Sequence, residues 1–491
     1  MSDYMFMLES HLSADQSQAV SEIQAAATHA NLNVFLTGGA MRDMLGGFPI
    51  VEIDFTIEGN ALKVAQAVAK KSGAKIQAED DNRKVAHLVF RTGVHATTGM
   101  ARQEKYSKPG TKPAVRPATI HEDLRGRDFT INSIALSLNP ASRGLLLDPN
   151  NGVGDLERKE LRAVSNYTLY DDPIRLIRLM RFKVRLSFTI EERTKMQYDN
   201  AREAQLETRI APAELLEELR HIANEPNCAD IVKVLEEEKL LQLYSPDLAG
   251  AKLNHPGLQK LQKARQLVPF GIDIHLESMG LFLYFLTEKL PAKDSAAFIK
   301  SVGLSRREVE QWQKLEGKSK KLEKELKSAK LQKPSKVYQA LSAAPGDQIL
   351  FLLAHSSERL VHDRIKNYLQ KYLPSAQEVT ERDVLATGAR PGTPKFQKVR
   401  EEMILTKLDA RPKKIPPPGE MPATGGPGQP PSGGPGRPPG PGGPGRPPGP
   451  GGPGRPPGPG GPARPPGQGG PGRPPAANPV PGRGQALARK S

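Results

Sequence analysis

The first third of the chain arranges its apolar positions in short, strand-length runs. Residues 33–37 (NVFLT) form an apolar run stopped by Gly38-Gly39, which predicts a strand, a tight turn and a helix through Met44. Residues 51–57 (VEIDFTI) alternate Val51, Ile53, Phe55 and Ile57 with Glu52, Asp54 and Thr56, the signature of a half-buried strand with one polar face. A helix is expected over 61–72, ending near Gly73, and another strand over 84–91 (KVAHLVFR). Residues 131–138 continue as a helix or a strand. Beyond residue 150 the spacing turns helical. Residues 173–185 interleave Ile174, Ile177, Leu179, Met180, Phe182 and Val184 with arginines, and helices are also expected over 213–222, 231–243, 258–267, 276–289, 306–325 and 356–372. An α/β head followed by an all-α body is the predicted architecture.

Composition sets the end of the folded part. The 491 residues include 46 glycines and 46 prolines, and residues 411–491 are mostly Pro, Gly and Arg. That stretch carries a nine-residue repeat, marked by Arg437, Arg446, Arg455, Arg464 and Arg473, and has no run able to build a core. Pro439 and Arg446 break the every-third-residue glycine frame of collagen. A disordered, partly polyproline-II cationic tail is expected. It holds eleven of the Lys and Arg residues against Glu420 alone, so most of the formal net charge of +16 resides there. Such a tail either helps hold a polyanion such as RNA or solubilises the chain without a specific partner. It lacks interleaved aromatics, which argues against base stacking.

Other classes drop out. Cys228 is the only cysteine, so neither an intramolecular disulfide nor a cysteine-cluster zinc site is expected. The longest apolar runs, 279–286 and 349–354, fall far short of the roughly 18 residues of a membrane span. The N-terminus (MSDYMFMLES) has acids early and no basic segment before an apolar one. A cytoplasmic protein without a membrane partner is expected.

The candidate chemistry gathers around the first turn. Glu52 and Asp54 are two residues apart on a predicted strand and so project from one face. Two carboxylates so placed are either a solvated strand face or a pair of oxygen ligands for Mg²⁺, which typically takes one or two carboxylates plus substrate phosphates. Gly38-Gly39 lets backbone approach a ligand closely, and a following helix N-terminus can cradle phosphate.

The order of the segments is more specific than any one of them. LTGGAMRDMLGG (36–47), EIDFTIEGNA (52–61), ARQEKYSKPG (101–110), HEDLRGRDFTINSIAL (121–136), DPNNGVGDLERKELRAV (148–164) and DDPIRLIRLMRF (171–182) follow one another. Together they resemble the class II tRNA nucleotidyltransferase/poly(A) polymerase family, within the DNA polymerase β-type nucleotidyltransferases. A weaker echo, ERDVLATGARPGTPKF (381–396), resembles the segment that often closes the family's helical region. The resemblance implies an α+β fold: a polymerase β-like head with a small mixed sheet, then all-α neck, body and tail, then the disordered C-terminus. The implied boundaries are an N-terminal helical segment (1–30), the head (31–150), a neck that reads the base (151–220), an RNA-binding body and tail (221–410), and the repeat (411–491).

By the same resemblance the activity is template-independent addition of C, A or both, from CTP and ATP, to a tRNA 3′ end, with pyrophosphate release. Poly(A) addition to general RNA ends and a catalytically impaired RNA-binding homologue are the alternatives. Glu52 and Asp54 match the metal pair and catalytic centre. Gly38, Gly39 and Arg42 match the triphosphate turn. Arg127, Asp128 and Asn132 match the segment near the nucleotide sugar and phosphates. Asp172 and Arg175 match the pair that reads the base edge: a carboxylate accepts from an exocyclic amine, and a guanidinium donates to a ring nitrogen or carbonyl. Arg178 and Arg181 follow on the same helix side, spaced for phosphate.

Three positions depart from the pattern. Glu52 stands where the family's first metal ligand is an aspartate, residues 92–100 (TGVHATTGM) lack an acid that the family commonly has, and Gly126 replaces the first arginine of RRD. The histidines of the helical part, His221, His255, His275, His355 and His362, are too scattered for a phosphohydrolase cluster.

Overall fold

The computed structural model describes residues 3–269, 274, 276 and 278–410. The repeat expected to be disordered, and with it the basic stretch suggested as an RNA contact, lies outside the described residues, as does His275.

Two helices, α1 (Asp3–His11) and α2 (Ala14–His29), open the chain, and a Ser13/Gln16 capping box starts the second. The head sheet is then assembled around the turn that the apolar runs mark. Strand β1 (Asn33–Thr37) leads into α3 (Gly38–Leu45), β2 (Glu52–Glu58) and α4 (Ala61–Ser72). The last helix is capped by Asn60 and stopped by Gly73 in the left-handed region, φ +72°. Strands β3 (Lys75–Asp80), β4 (Val85–Val89) and β5 (His95–Met100) follow, then a separate hairpin of β6 (Arg102–Lys105) and β7 (Ala114–Pro117). Helix α5 (Ile120–Arg125) precedes β8 (Ala135–Ser137) and β9 (Leu146–Leu147).

The seven-stranded sheet has the order β3-β4-β5-β2-β1-β8-β9. Only β2 and β5 run parallel within it; every other pairing is antiparallel. The alternation in β2 decides which face is covered. Ile53, Phe55 and Ile57 are buried in the core with Val64, Ala65 and Val68 of α4, whereas Glu52 and Asp54 point to the other face.

From α6 (Gly152–Arg158) and the short α7 (Thr168–Asp171) onward the described elements are helices, with one bridge of two two-residue strands, β10 (Glu160–Leu161) and β11 (Thr189–Ile190). Helix α8 (Ile174–Leu186) is buried over most of its surface, Arg175 and Arg181 included. It packs against α10 (Pro212–Asn224) and α11 (Cys228–Glu237); α9 (Glu192–Glu203) packs against α7. The body continues through α12 (His255–Gln266), α13 (Ser278–Thr287) and further helices to Pro394–Asp409.

Several elements differ from the pattern-based expectation. Residues 131–138 are neither one helix nor one strand: a 3₁₀ turn over Thr130–Asn132 precedes β8. Strand β5 has weak alternation (HATTGM), yet it is interior, fixed by ladders to β2 and β4. Helix α9 has too few apolar residues to show a stripe and buries only Thr194, Tyr198 and Ala201. Trp312 is half-buried against the helical core, as a core position rather than a base platform would be.

Candidate active site

The turn between β1 and α3 lies over the polar face of β2. Gly38 has φ +64°, and a Cβ there would lie 3.2 Å from Asp54 Oδ2 and 3.3 Å from Arg127 Nη1. Glycine is therefore required both by the left-handed backbone and by close approach. The Gly39 amide donates to Asp54 Oδ2 at 3.2 Å, so the start of α3 faces the carboxylate.

Glu52 and Asp54 share that face. Among the described residues neither forms an ion pair, and the Glu52 side chain has no hydrogen bond. Burial, and then the neighbouring Glu52, push the Asp54 carboxyl up to about 6. Arg127 and Arg42 pull the Asp54 carboxyl down without cancelling that rise, and a cation held by the pair would relieve the remaining repulsion. Among the described residues no group of three or more His, Cys, Asp and Glu could hold a metal, so waters and substrate oxygens would have to complete the shell. The place next to Asp54 on the parallel strand belongs to Thr97, within the acid-free 92–100 segment, and its hydroxyl pairs with His87 Nδ1 at 3.2 Å. Glu104 belongs to a different cluster, where it accepts from Arg83 at 3.0 Å and from Arg102 and Tyr106 at 2.8 Å.

Behind the turn the arginines are fully engaged. Arg42 Nη1 donates to Asn132 Oδ1 (2.9 Å), and Asn132 Nδ2 donates to Asp128 Oδ1 (3.0 Å). Asp128 Oδ2 accepts from Arg178 (2.9 Å), and Arg178 also reaches Glu218 (3.5 Å). Glu218 accepts from Arg181 (2.6 Å), which donates also to Glu225 (2.8 Å). Glu225 lies 3.6 Å from Arg185; Arg185 donates to Asp43 Oδ2 (3.0 Å), and Asp43 Oδ1 accepts from Arg42 Nε (2.8 Å). These contacts form a closed ring joining α3, the Asp128–Asn132 segment, α8 and the C-terminal end of α10. Four guanidinium groups face four carboxylates, with Asn132 as the neutral link. Phe182 lies within this array, with Arg42 5.0 Å and Arg181 4.7 Å from its ring centre.

The ring's electrostatics follow from burial against pairing. Burial alone would raise the Glu218 carboxyl, but Arg181 and Arg178 hold it at about 2. Asp128 is likewise held at about 2, by Arg178 and Arg175 against the effect of burial. His221 is pushed down to about 4 by burial and then by Arg181, which makes it an uncharged neighbour of the ring.

The base-reading candidates stand at the start of α8. Arg175 Nε donates to Asp172 Oδ2 at 3.1 Å, and Arg175 Nη1 reaches the Arg127 carbonyl at 3.5 Å. Arg127 in turn holds Asp123 (2.9 Å), Thr56 (2.7 Å) and the Asn132 carbonyl (3.2 Å). The turn, the carboxylates and the start of α8 are thereby connected through one residue. A backbone bond from Gly110 to the Asp171 carbonyl (3.2 Å) docks the β6–β7 loop beside them.

Arg181 does not stand open for phosphate: it is buried and held by Glu218 and Glu225. Sequence reasoning missed Asp43, Arg185, Glu218 and Glu225. Their signal was present as spacing, since 178, 181 and 185 share one side of α8, and Glu218 and Glu225 are seven residues apart. Nothing in the sequence indicated that those two sides face each other.

Residues 34–162 match the Poly A polymerase head domain. A-adding tRNA nucleotidyltransferases of Aquifex aeolicus (29% identical, over 69% of this chain and 40% of the relative) and Halalkalibacterium halodurans (32%, over 55% and 63%) are similar to it. So is a CC-adding tRNA nucleotidyltransferase of Deinococcus radiodurans (38%, over 31% and 40%). Residues 34–162 therefore carry a head of the Poly A polymerase type, and the chain is similar to A-adding and CC-adding tRNA nucleotidyltransferases. It spans between 40% and 63% of the length of these three relatives. The matched head domain contains the glycine turn, the carboxylate pair and the Arg127–Asn132 segment, and ends before Asp172 and Arg175. Among the described residues no helix is long and apolar enough to cross a membrane. Of the described histidines of the helical part, His255 pairs with Glu236 (2.5 Å), His355 with Glu288 (3.3 Å) and His362 with the Ser356 carbonyl (2.8 Å).

Proposed function

We propose that this chain is a template-independent nucleotidyltransferase that adds C, A or both, from CTP and ATP, to the 3′ end of tRNA, and that it works in the cytoplasm. The observation that carries the reading is the Glu52–Asp54 pair, free of any ion pair among the described residues, beneath the Gly38-Gly39 turn.

In this reading Glu52 and Asp54 hold a divalent ion, Mg²⁺ by the hardness of its oxygen ligands. When bound, the ion supplies Lewis-acid activation of the RNA 3′-hydroxyl and neutralisation of the triphosphate. Gly38, Gly39 and Arg42 receive the triphosphate, with Arg127 beside them. Asp128, Asn132 and Arg178 fix that wall of the pocket. Asp172 and Arg175 read the base edge: the carboxylate accepts from the exocyclic amine that cytosine and adenine share, and the guanidinium supplies donors. The 3′-oxygen forms a bond to the α-phosphorus as the bond to the β-phosphate bridging oxygen breaks, and pyrophosphate leaves.

The test is extension of three tRNA transcripts, ending before CCA, after C and after CC, each given Mg²⁺ with CTP, ATP or both. Extension of at least one end by one to three nucleotides is expected. A long A tract on any RNA would replace tRNA specificity with poly(A) addition. RNA binding without extension would make the chain an impaired homologue, the outcome that Glu52 and Thr97 motivate.

A further inference from the structure

Arg42 is held on two edges. Its Nε donates to Asp43 Oδ1 at 2.8 Å, its Nη2 lies 2.8 Å from the same oxygen, and its Nη1 donates to Asn132. Arg42 Nη2 lies 3.4 Å from the place a Cβ would take on Gly39, so this guanidinium borders the phosphate turn itself. Asp43 is the hub behind it, because its second oxygen accepts from Arg185 Nη2 at 3.0 Å. Arg185 is braced in turn by Glu225 at 3.6 Å. Neither Arg185 nor Glu225 borders the turn, and Asp43 reaches it only through Arg42.

Arg185 is on the same helix as the base-reading candidate Arg175, ten residues later, which is about 15 Å along the helix axis. One rigid element therefore carries the base-reading group near its start and, near its end, the group that fixes Asp43. We propose that Arg185 and Asp43 are positioning residues for the triphosphate: the Arg185–Asp43–Arg42 chain sets the Arg42 guanidinium by reference to α8, so base and phosphates are held in one frame. The inference rests on the nucleotidyltransferase reading. Its physical basis is that Asp43 is buried and has both oxygens committed. Loss of Arg185 frees one oxygen, and the carboxylate can then rotate and carry Arg42 with it. A displacement of about an ångström at a reacting group costs on the order of a hundredfold in rate.

The test uses the full chain and two probes that divide the nucleotide. Mg²⁺-tripolyphosphate and adenosine each compete against a fluorescent ATP analogue, with wild type, Arg185→Gln and Arg185→Lys. Arg185 is a quarter exposed, so its replacement leaves no sealed cavity. Arg185→Gln should weaken tripolyphosphate about tenfold or more while adenosine moves less than about twofold, and Arg185→Lys should recover most of the loss. KM for ATP should rise and kcat fall together. Asp43→Asn serves as the second variant and should show the same selective loss. Equal weakening of both probes, or of neither, or no recovery with lysine, would overturn the inference. A wild type that binds tripolyphosphate, loses it in Arg185→Gln and yet extends no RNA would retire the proposed function and leave the positioning role standing. A wild type that extends RNA with probe affinities unchanged in the variant would do the reverse. A wild type that binds neither probe would overturn both.

Discussion

The carboxylate pair and the arginine ring handle charge in opposite ways. Among the described residues Glu52 and Asp54 form no ion pair, and burial, then Glu52, push Asp54 up to about 6 against the pull of Arg127 and Arg42. In the ring, four guanidinium groups meet four carboxylates, and Glu218 and Asp128 are held at about 2. An uncompensated buried charge costs folding energy unless something arrives to pair with it; a compensated one fixes geometry. The contrast separates where chemistry is expected from where alignment is. It also shows that an arginine-rich helix need not be a phosphate comb, because most of the cationic charge of α8 is already matched within the protein.

Breaking the carboxylate pair should have the largest effect. Asp54→Asn removes a ligand and the charge that attracts the ion, and extension should fall about a thousandfold or more, read from single-turnover rates. RNA affinity and melting temperature should change little. If Asp54→Asn extends RNA at the wild-type rate, the pair is not the metal site.

Breaking the compensated side should act on stability first. Glu218→Ala leaves Arg178 and Arg181 buried without a shared partner and should cost about 3–5 kcal/mol in denaturant unfolding. The ring also predicts an acid response. Glu218 and Asp128 have folded values near 2, against 4.5 and 3.8 for free groups, so their contribution is present above those ordinary values and is lost as pH falls towards 2. His221 stays uncharged in the fold down to about 4, against 6.5 when free, so the unfolded chain takes the proton first and stability declines as pH falls from 6.5 to 4. Asp54 works in the other direction, because its raised value lets the folded chain take up a proton between about 6 and 3.8. Between about 6 and 4.5 His221 and Asp54 act against each other, so melting temperature should drop mainly below about pH 4.5, where Glu218 and then Asp128 lose their contribution. A Glu218→Gln chain should show a shallower drop between 4.5 and 2, and an unchanged profile would contradict the ring's electrostatic role.

A smaller effect is expected at Glu52. Shortening it to aspartate keeps the charge and moves the oxygens by one methylene, so extension should change by no more than about tenfold in either direction, read as the Mg²⁺ concentration at half-maximal rate. Least of all, Lys195→Ala, which removes an exposed pair with Asp199, should stay within about 0.5 kcal/mol of wild-type stability and serves as the control for surface charge.

The sequence made the local elements of the site readable and left the long-range ones hidden. The alternation over 51–57 placed Glu52 and Asp54 on one face, and the double glycine placed a turn over them, because both are properties of a few consecutive residues. The helix over 61–72 was legible for the same reason, with a glycine stop. Strand β5 was not, since its place is set by ladders to β2 and β4 rather than by its own pattern. The ring was hidden for a similar reason. Arg178 and Arg181 read as a phosphate-facing pair, and Arg185 is missed, until Glu218 and Glu225 are brought against them from more than thirty residues away. Charge spacing on one helix names a face; only packing decides what that face meets.

The most direct test is the Mg²⁺ dependence of tRNA extension by wild type and Asp54→Asn, measured side by side with RNA binding followed in the same samples. The account predicts Mg²⁺-dependent extension by wild type and loss of extension, with RNA binding retained, in the variant. Equal extension by both chains, or extension by wild type that ignores added Mg²⁺ and survives its chelation, would contradict the assignment of chemistry to the Glu52–Asp54 pair.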